Sequence, residues 1–359
     1  FDQEFVPHLE DWLAQGEIDR DAWQKAGQAG LLCAEMPAEY GGAGGDYRHD
    51  TVIMEEFNKR GLAGWGNQVH SSIVAPYILH YGNDEQRKRW LPGMAIGDLV
   101  GAIAMTEPNT GSDLQNVKTT AIRDGDEYVI NGSKTYITNG QHADLIVVVA
   151  KTDPSQGAKG ISLIVVEADA AGFERGRNLK KLGLKSADTS ELFFSDCRVP
   201  IANRLGEEEG KGFIQLMQQL PQERLSIAQA AIVSAERAIE VTTEFVSERK
   251  AFGQRVLDFQ NTRFKLAECK TEALIGRTFV DQCVVRLLDK ELDAATASMA
   301  KYWCTEKQCQ IIDECLQLHG GAGYMDEYEI SRMYADARVQ KIYGGTNEIM
   351  KELIGRTLG

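Results

Sequence analysis

The spacing of hydrophobic and polar residues changes twice along the chain. Up to about residue 100 it is helical, with helices predicted over 21–30 and 50–60 on either side of a glycine cluster. Short β-rich runs then follow at 127–130, 145–149, 161–166 and 191–194, separated by Gly, Asp and Asn turns. From residue 206 onwards long helical stretches return, at 224–249, 262–288 and 293–318. No internal repeat is visible.

This order predicts an α+β protein of three domains. We expect an N-terminal α-helical domain over 1–100, a central β-barrel over 101–205 and a C-terminal four-helix bundle over 206–359. The length of 359 residues agrees with more than one core, because single cores usually stop growing at roughly 250 to 300 residues. Cofactor sites tend to lie in clefts where such unlike layers meet.

Charge and residue usage exclude several classes of function. The net charge of −14 argues against binding to a nucleic-acid backbone. The longest apolar run, 145–150, is far shorter than the ~20 residues that cross a bilayer. The six histidines form no metal-binding motif, so no metal is predicted. The glycines at 41–45 follow Met36-Pro37 rather than a strand, which disfavours a dinucleotide-binding loop.

The seven cysteines are scattered along the chain and form no CxxC pair. We interpret them as reduced thiols, which indicates the cytoplasm of a bacterium or the mitochondrial matrix. The chain begins with Phe1 rather than Met, so a targeting segment preceding it is compatible with this interpretation.

Two segments of the central region carry candidate binding chemistry. Residues 103–113, IAMTEPNTGSD, form a loop whose hydroxyl groups and backbone N–H groups can bind a polar ligand, although an ordinary turn has the same composition. In residues 132–140, GSKTYITNG, Tyr136 stands two positions before Thr138 in a predicted strand, so both side chains are expected on one face. A ring beside a hydroxyl suits a planar cofactor, but an aromatic residue packed in the barrel fits the same pattern.

Three further segments complete a recognisable set: RKAFG at 249–253, QLHGG at 317–321 and IYGGTNE at 342–348. Together with the two central segments they resemble the acyl-CoA dehydrogenase family, in the same order and over essentially the whole chain. One such match is weak evidence, whereas five in register are strong. The resemblance implies the three-domain fold described above, bound FAD and a homotetramer built as a dimer of dimers.

The resemblance also assigns the FAD contacts. It implies flavin contacts from 103–112 and 136–138, and contacts to the pyrophosphate and adenosine from the C-terminal segments, some of them from a neighbouring subunit. The implied residues are Ile103, Met105, Thr106, Gly111, Ser112, Tyr136, Ile137, Thr138, Arg249, Phe252, Gln260, Gln317, Leu318, Gly320, Gly321, Thr346 and Glu348. Arg249 suits a phosphate because its guanidinium can bind two oxygens at once, although by itself it also fits a solvated cation at a helix end.

The position of the catalytic base departs from the majority of the family. Most members carry a glutamate directly after the aromatic residue of the late motif, where this chain has Gly344. A branch comprising the long-chain and isovaleryl enzymes carries it on the first long C-terminal helix, and Glu223 matches that position. Pro221 is expected in the first turn of this helix, which would place Glu223 near the positive end of the helix dipole. Acids are also common in first turns without any catalytic purpose.

The same resemblance implies the substrate contacts and the reaction. The backbone N–H of Gly344 is expected to bind the thioester oxygen as enolate character develops. The residues expected to touch the acyl-CoA are Ser112, Ala158, Lys159, Pro221, Gln222, Glu223, Arg224, Gly344 and Gly345. For Lys159, a contact to a phosphate of CoA and simple solvation are equally compatible with the sequence.

We therefore expect an enzyme that oxidises long-chain fatty acyl-CoA to trans-2-enoyl-CoA in β-oxidation, with electron-transferring flavoprotein as electron acceptor. Three alternatives remain open: an isovaleryl-CoA dehydrogenase with a shallower pocket, a redox-silent flavoprotein of the same fold, and an acyl-CoA oxidase. A chain-length series, replacement of Glu223 and the choice of electron acceptor distinguish them.

Overall fold

The computed structural model describes residues 1–359. The N-terminal third is helical, as predicted. A π-helical turn over His70–Val74 joins α4 to α5, a local widening that is frequent at functional sites. The helices are α1 (Leu9–Gln15), α2 (Arg20–Gln28), α3 (Tyr47–Lys59), α4 (Asn67–Val69), α5 (Ala75–Tyr81) and α6 (Asp84–Ala95).

The central region forms one eight-stranded sheet. The strands are β1 (Gly101–Ala104), β2 (Thr120–Asp124), β3 (Glu127–Thr138), β4 (Leu145–Lys151), β5 (Ile161–Glu167), β6 (Phe173–Asn178), β7 (Thr189–Pro200) and β8 (Arg204–Leu205). Their order is β6-β7-β3-β2-β4-β5-β8, and β1 pairs in parallel with β4. The end strands β6 and β8 do not pair with each other, so the barrel is open between them.

Strand β4 shows how the sheet is anchored, because both of its faces are buried. Leu145, Val147 and Val149 pack with the helices of the N-terminal domain. Ile146 and Val148 point the other way, into the interior of the curved sheet. The continuous apolar run that the sequence shows here is what a strand buried on both faces requires.

The C-terminal region is a bundle of long helices followed by two short ones. They are α7 (Gly212–Glu248), α8 (Gln260–Leu288), α9 (Ala294–His319), α10 (Glu329–Ala337) and α11 (Asn347–Gly355). A small hairpin of β9 (Lys250–Ala251) and β10 (Gln254–Arg255) connects α7 to α8. Helix α7 packs against both α3 and α9, so it links the N-terminal domain to the bundle. None of the helices combines the length and apolar character needed to cross a membrane.

Candidate active site

The expected position of Pro221 in the first turn of α7 is wrong. The helix begins at Gly212, and Pro221 lies inside it. The residues before the proline continue the helix because they bury apolar side chains, among them Leu216 and Leu220. Glu223 therefore lies well inside a long helix, where the dipole effect of the first turn no longer applies. Its protonation must be set by its immediate neighbours.

Glu223 is buried, with only 5% of its surface exposed. The hydroxyl of Tyr77, on α5, donates a hydrogen bond to its Oε1 at 2.8 Å. Burial raises the pKa of Glu223 to about 7, while the Tyr77 hydrogen bond and the charge of Arg224 act in the opposite direction. A carboxyl group with a pKa near neutrality can act as a general base at neutral pH, because it exchanges a proton readily there.

Gly344 lies against the same face of α7. A Cβ atom added at Gly344 would lie 2.3 Å from Cδ1 of Ile227, and the backbone at Gly344 has a φ of +63°, which favours glycine. Ile227 lies one helical turn after Glu223, so the two side chains share a face. The two positions at which the resemblance expects a base, 223 and 344, thus lie on the same face of α7, and of the two only position 223 carries a carboxylate.

Buried Lys301 holds the loop around Gly344 and Gly345, and buried Arg224 lies beside it. Lys301 Nζ donates to the carbonyl of Gly345 at 2.8 Å and to Oδ1 of Asn347 at 2.9 Å. Arg224 is also buried; its Nη1 lies 3.5 Å from Ser298 Oγ and its Nε has no partner. Burial lowers the pKa of both side chains, that of Lys301 to about 7, with the nearby charge of Arg224 contributing. The hydrogen bonds of Lys301 therefore fix this loop, and with it the backbone of Gly344.

The two central motifs, 103–113 and 132–140, are joined by hydrogen bonds. The N–H of Thr135 donates to the carbonyl of Thr106 at 2.9 Å. The buried side chain of Lys134 donates to Glu107 at 2.9 Å and to the carbonyl of Met105 at 3.0 Å. The buried side chains of Lys134 and Glu107 thus link the two segments that are predicted to contact the flavin. This role could not be predicted from the motifs alone.

The regular alternation expected for Tyr136 is interrupted in the structure. Strand β3 has a bulge between Lys134 and Ile137, and Tyr136 itself has a φ of +61°. As a result the ring of Tyr136 is 68% exposed, whereas the side chain of Ile137 is buried in the sheet interior. Thr138 is half-buried. The side chain of Ile137 is therefore not available to a cofactor.

Other predicted FAD residues gather at the far end of the bundle. His319 stacks on Phe245 with ring centroids 4.3 Å apart, which joins the end of α9 to the end of α7. This contact places Arg249 and the Gly320-Gly321 turn at the same end of the bundle. The other predicted residues of this group are Phe252, Gln260, Gln317 and Leu318.

The surface of this end fits a bound group or a neighbouring subunit. Phe252 is 97% exposed at the tip of its hairpin, and Arg249 is also exposed. A Cβ atom added at Gly320 or Gly321 would meet nothing within 4 Å, so the backbone there is open to close approach. An exposed phenylalanine, an exposed guanidinium and open glycine backbone fit the adenosine and phosphate parts of FAD.

The remaining predicted residues are less closely connected to Glu223. Thr346 caps α11, with its hydroxyl accepting from the N–H of Ile349 at 3.4 Å, and Glu348 is exposed in the first turn. Gly111 and Ser112 lie in the exposed loop after β1, and Ala158 and Lys159 lie in the segment before β5, with the Lys159 side chain in solvent.

Next to Glu223, Gln222 makes contacts that the sequence did not indicate. Its Nε2 donates to Glu35 Oε1 at 3.2 Å and to the carbonyl of Ser72 at 3.3 Å. Asp50 lies beside Glu35, and burial raises the pKa of Glu35 to about 8 and that of Asp50 to about 6. Like Tyr77, these residues belong to no recognised motif, and only the packing of the N-terminal domain on α7 brings them here.

Family models match three consecutive segments of the chain. They are the acyl-CoA dehydrogenase N-terminal domain at residues 1–98, the middle domain at 102–197 and the C-terminal domain at 210–359. Long-chain specific acyl-CoA dehydrogenase of Sus scrofa is 50% identical, over 100% of this chain and 84% of its own length. Acryloyl-CoA reductase (NADH) of Anaerotignum propionicum is 38% identical, over 95% of this chain and 88% of its own.

Solved structures share the fold. An acyl-CoA dehydrogenase from Geobacillus kaustophilus superposes with a TM-score of 0.97 at 51% identity, covering 99% of this chain and 94% of that one. An acyl-CoA dehydrogenase from Bacillus anthracis in complex with FAD superposes with a TM-score of 0.93 at 35% identity, covering 99% and 64%. The expected fold, enzyme class and cofactor are confirmed. The chain belongs to the acyl-CoA dehydrogenase family of FAD-dependent oxidoreductases.

Proposed function

We propose that this protein oxidises long-chain fatty acyl-CoA to trans-2-enoyl-CoA in β-oxidation, with Glu223 as the base that removes the α-proton. The observation that carries the proposal is the buried Glu223 carboxyl, with a pKa near 7, on the helix face that Gly344 covers. Bound FAD supplies the acceptor for the β-hydride.

The residues around Glu223 account for the proton transfer. Removing a proton next to a thioester requires a base close to the α-carbon, and a positioned base contributes about 10²- to 10⁴-fold to the rate. Tyr77 orients one carboxylate oxygen, which leaves the other free to accept the proton. The N–H of Gly344, held by its fixed loop, is positioned to donate to the thioester oxygen as negative charge develops there. Substrate binding excludes water, which raises the pKa of Glu223 further and strengthens it as a base.

A preference for long chains is supported by a cavity farther along α7. Its lining includes Ala230, Ser234 and Tyr343. Ala230 and Ser234 follow Glu223 on the same helix at a rise of about 1.5 Å per residue, so they lie about 10 and 16 Å from it. An extended acyl chain advances about 1.25 Å per carbon, given a C–C bond of about 1.5 Å, so it reaches this cavity about 8 to 13 carbons beyond the reacting carbon.

Replacing Glu223 with Gln tests the base. We expect turnover to be abolished while FAD stays bound, because the amide keeps the shape of the side chain and cannot take the proton. Glu244→Gln, an exposed position on the same helix, is the matched control and should retain full activity. Undiminished activity of Glu223→Gln would reject the mechanism. Retained flavin and absent turnover in the unaltered protein would indicate a redox-silent flavoprotein instead.

The substrate is tested by anaerobic bleaching of the bound flavin with acyl-CoAs of increasing length. Long chains should bleach it at lower concentration than short ones, whereas an isovaleryl-CoA dehydrogenase would respond best to the short branched substrate. Because a relative is named as an NADH-dependent reductase, the same protein should also be offered enoyl-CoA and NADH. Faster reduction of enoyl-CoA than oxidation of acyl-CoA would reverse the assigned direction.

We further propose that the active form is a homotetramer in which subunits share FAD sites. Arg249 follows Glu223 along α7 by about 39 Å at about 1.5 Å per residue, which is longer than an extended FAD. One chain therefore cannot bring both residues to the same cofactor, and Arg249 is expected to serve the site of a partner.

Mixed oligomers test this sharing. Arg249→Ala and Glu223→Gln subunits should each be inactive alone, because one loses FAD affinity and the other the base. When they are co-expressed, the site that combines Glu223 of one chain with Arg249 of the other should regain activity. A double variant co-expressed with Arg249→Ala is the control and should stay inactive. No recovery in the first mixture would contradict a shared site.

The electron acceptor and the compartment complete the proposal. We expect electron-transferring flavoprotein to reoxidise the reduced flavin, in the mitochondrial matrix or the cytoplasm of a bacterium. Turnover with an artificial electron acceptor but not with oxygen supports this acceptor class. Rapid turnover with oxygen alone would indicate an acyl-CoA oxidase.

A further inference from the structure

The segment that runs from α4 through the π-helical turn into α5 is attached to α7 by three successive hydrogen bonds. Two of them come from glutamine side chains, and on α7 they flank the bond to the proposed base. The three bonds join Gln68 Nε2 to Ser226 Oγ at 2.7 Å, Gln222 Nε2 to the Ser72 carbonyl at 3.3 Å, and the Tyr77 hydroxyl to Glu223 Oε1 at 2.8 Å.

The Ser72 carbonyl lies where the helical hydrogen bonding of this segment changes. In the π-helical turn the N–H of Ala75 donates to the carbonyl of His70, and α-helical bonding resumes in α5. In a regular α-helix the Ser72 carbonyl would accept the N–H of residue 76, but that residue is Pro76, which has no N–H. Gln222 supplies a donor from α7 instead. The break in the helix is therefore bridged by the residue that precedes the proposed base.

Both glutamine contacts are held by further hydrogen bonds. Nε2 of Gln222 also donates to Oε1 of Glu35 at 3.2 Å, so its two N–H groups each have an acceptor. The hydroxyl of Ser226 accepts from Gln68 and donates to the carbonyl of Glu223 at 2.8 Å. The amide N–H groups of Gln222 are thus already paired within the protein, and both contacts lead to the backbone of α7 next to Glu223.

We propose that Gln222 and Gln68 are positioning residues for the proton transfer, because they hold α5 against α7 so that the Tyr77 hydroxyl reaches the carboxylate of Glu223. The bond from Tyr77 tolerates little displacement, since an increase of about 0.8 Å from its present length would break it. This role differs from the substrate contact that the family resemblance implies for Gln222. The inference rests on the proposed function, because it assumes that Glu223 is the base.

Replacing each glutamine with methionine tests the proposal, because methionine keeps the length of the side chain and lacks the N–H donors. Starting from a pKa of Glu223 of about 7, both variants should move the rising part of the pH profile of kcat/KM to higher pH by about half to one unit. At pH 7 kcat/KM should then fall by about two- to fivefold, and it should return to the unaltered value at high pH, where the base is ionised in every variant. Gln218→Met is the matched control. Gln218 is an exposed glutamine of α7 that contacts Tyr81 of α5, and its replacement should leave the profile in place.

A double-mutant cycle with Tyr77→Phe shows whether the glutamines act through Tyr77. In Tyr77→Phe the hydroxyl is already absent, so adding Gln222→Met or Gln68→Met should cause no further displacement of the profile. The other titratable groups that face Glu223 are Tyr81 and Arg224, and these variants leave both unchanged. Retained FAD shows that a variant is folded, and if one glutamine variant loses FAD, the other decides.

Three results would overturn the inference: a profile that stays in place in a folded glutamine variant, a displacement that adds to that of Tyr77→Phe, or a change in KM alone. The last of these would indicate that Gln222 contacts the acyl-CoA directly. Turnover that persists in Glu223→Gln would instead reject the proposed function. If Glu223→Gln is inactive while both glutamine variants keep the unaltered profile, only the present inference fails.

Discussion

The hydrogen bond from Tyr77 to Glu223 makes the strength of the base directly testable. In Tyr77→Phe the ring remains and only the hydroxyl is lost, so the buried carboxylate loses the donor that stabilises its charged form. A hydrogen bond to a charged group contributes about 1.5–3 kcal/mol, and one pKa unit corresponds to about 1.36 kcal/mol. Both side chains are buried, so solvent does not replace the lost bond. We therefore expect the pKa of Glu223 to rise by about one to two units.

The assay is the pH dependence of kcat/KM for a long-chain acyl-CoA, which reports the free enzyme. In the unaltered protein the rate should rise with pH up to about 7, because the base must lose its proton. In Tyr77→Phe the rising part of this pH profile, its limb, should move to higher pH. The rate should then become independent of pH only above the raised pKa of Glu223. Tyr81→Phe is the control, because the Tyr81 hydroxyl donates to Gln218 at 2.9 Å instead. A limb that stays in place, or moves to lower pH, would refute this account of the base.

Three further predictions concern position 344, the buried ion pair and stability. Gly344→Glu should not rescue Glu223→Gln unless Ile227→Ala is added, because Ile227 occupies the space of the new side chain; activity of the three variants checks this. Lys134→Met should lower the free energy of unfolding by about 3–5 kcal/mol in denaturant titrations, and adding Glu107→Leu should restore part of it, since the uncompensated buried charge is then removed. Burial raises the pKa of Glu223 from 4.5 to about 7, so the folded state favours the protonated carboxyl. This preference stabilises the folded protein fully below pH 4.5 and is lost as pH rises through 7. Relative to Glu223→Gln, the unaltered protein should therefore become less stable by about 3 kcal/mol between pH 4 and pH 8.

Sequence patterns predicted the elements well where spacing alone determines them. The change from helical spacing to short β-rich runs located the central sheet, and the run at 145–149 became β4, buried on both faces. The start of α7 was missed because Pro221 is a common first-turn residue, and the apolar contacts before it are visible only in the packed structure. The bulge at Tyr136 was missed for a related reason, since its left-handed backbone leaves no sign in the hydrophobic pattern.

The residues around the base were predictable to different degrees. Glu223 and Gly344 were assigned through the family resemblance, because each is defined by its position next to other motif residues, and their roles stay predictions. Tyr77 carries no such sign. It reaches Glu223 from α5, 146 positions earlier in the chain, after a π-helical turn that no local spacing predicts. Contacts of this kind depend on how one domain packs on another, which a single sequence does not contain.

The tyrosine beside Glu223 also explains how the proposed base would work inside a helix. A lysine or arginine in direct contact would favour the ionised form strongly and lower the pKa, which would weaken the base. Burial alone would raise the pKa until the carboxyl kept its proton at neutral pH. A neutral hydroxyl at 2.8 Å stabilises the carboxylate without a full charge, and the buried Arg224 lies near Ser298 and the Gly345 loop instead of pairing with the carboxylate. The pKa near 7 is thus a balance between desolvation on one side and the neutral Tyr77 donor and the charge of Arg224 on the other, and it places the proposed base where a small change at Tyr77 has its largest effect on the rate.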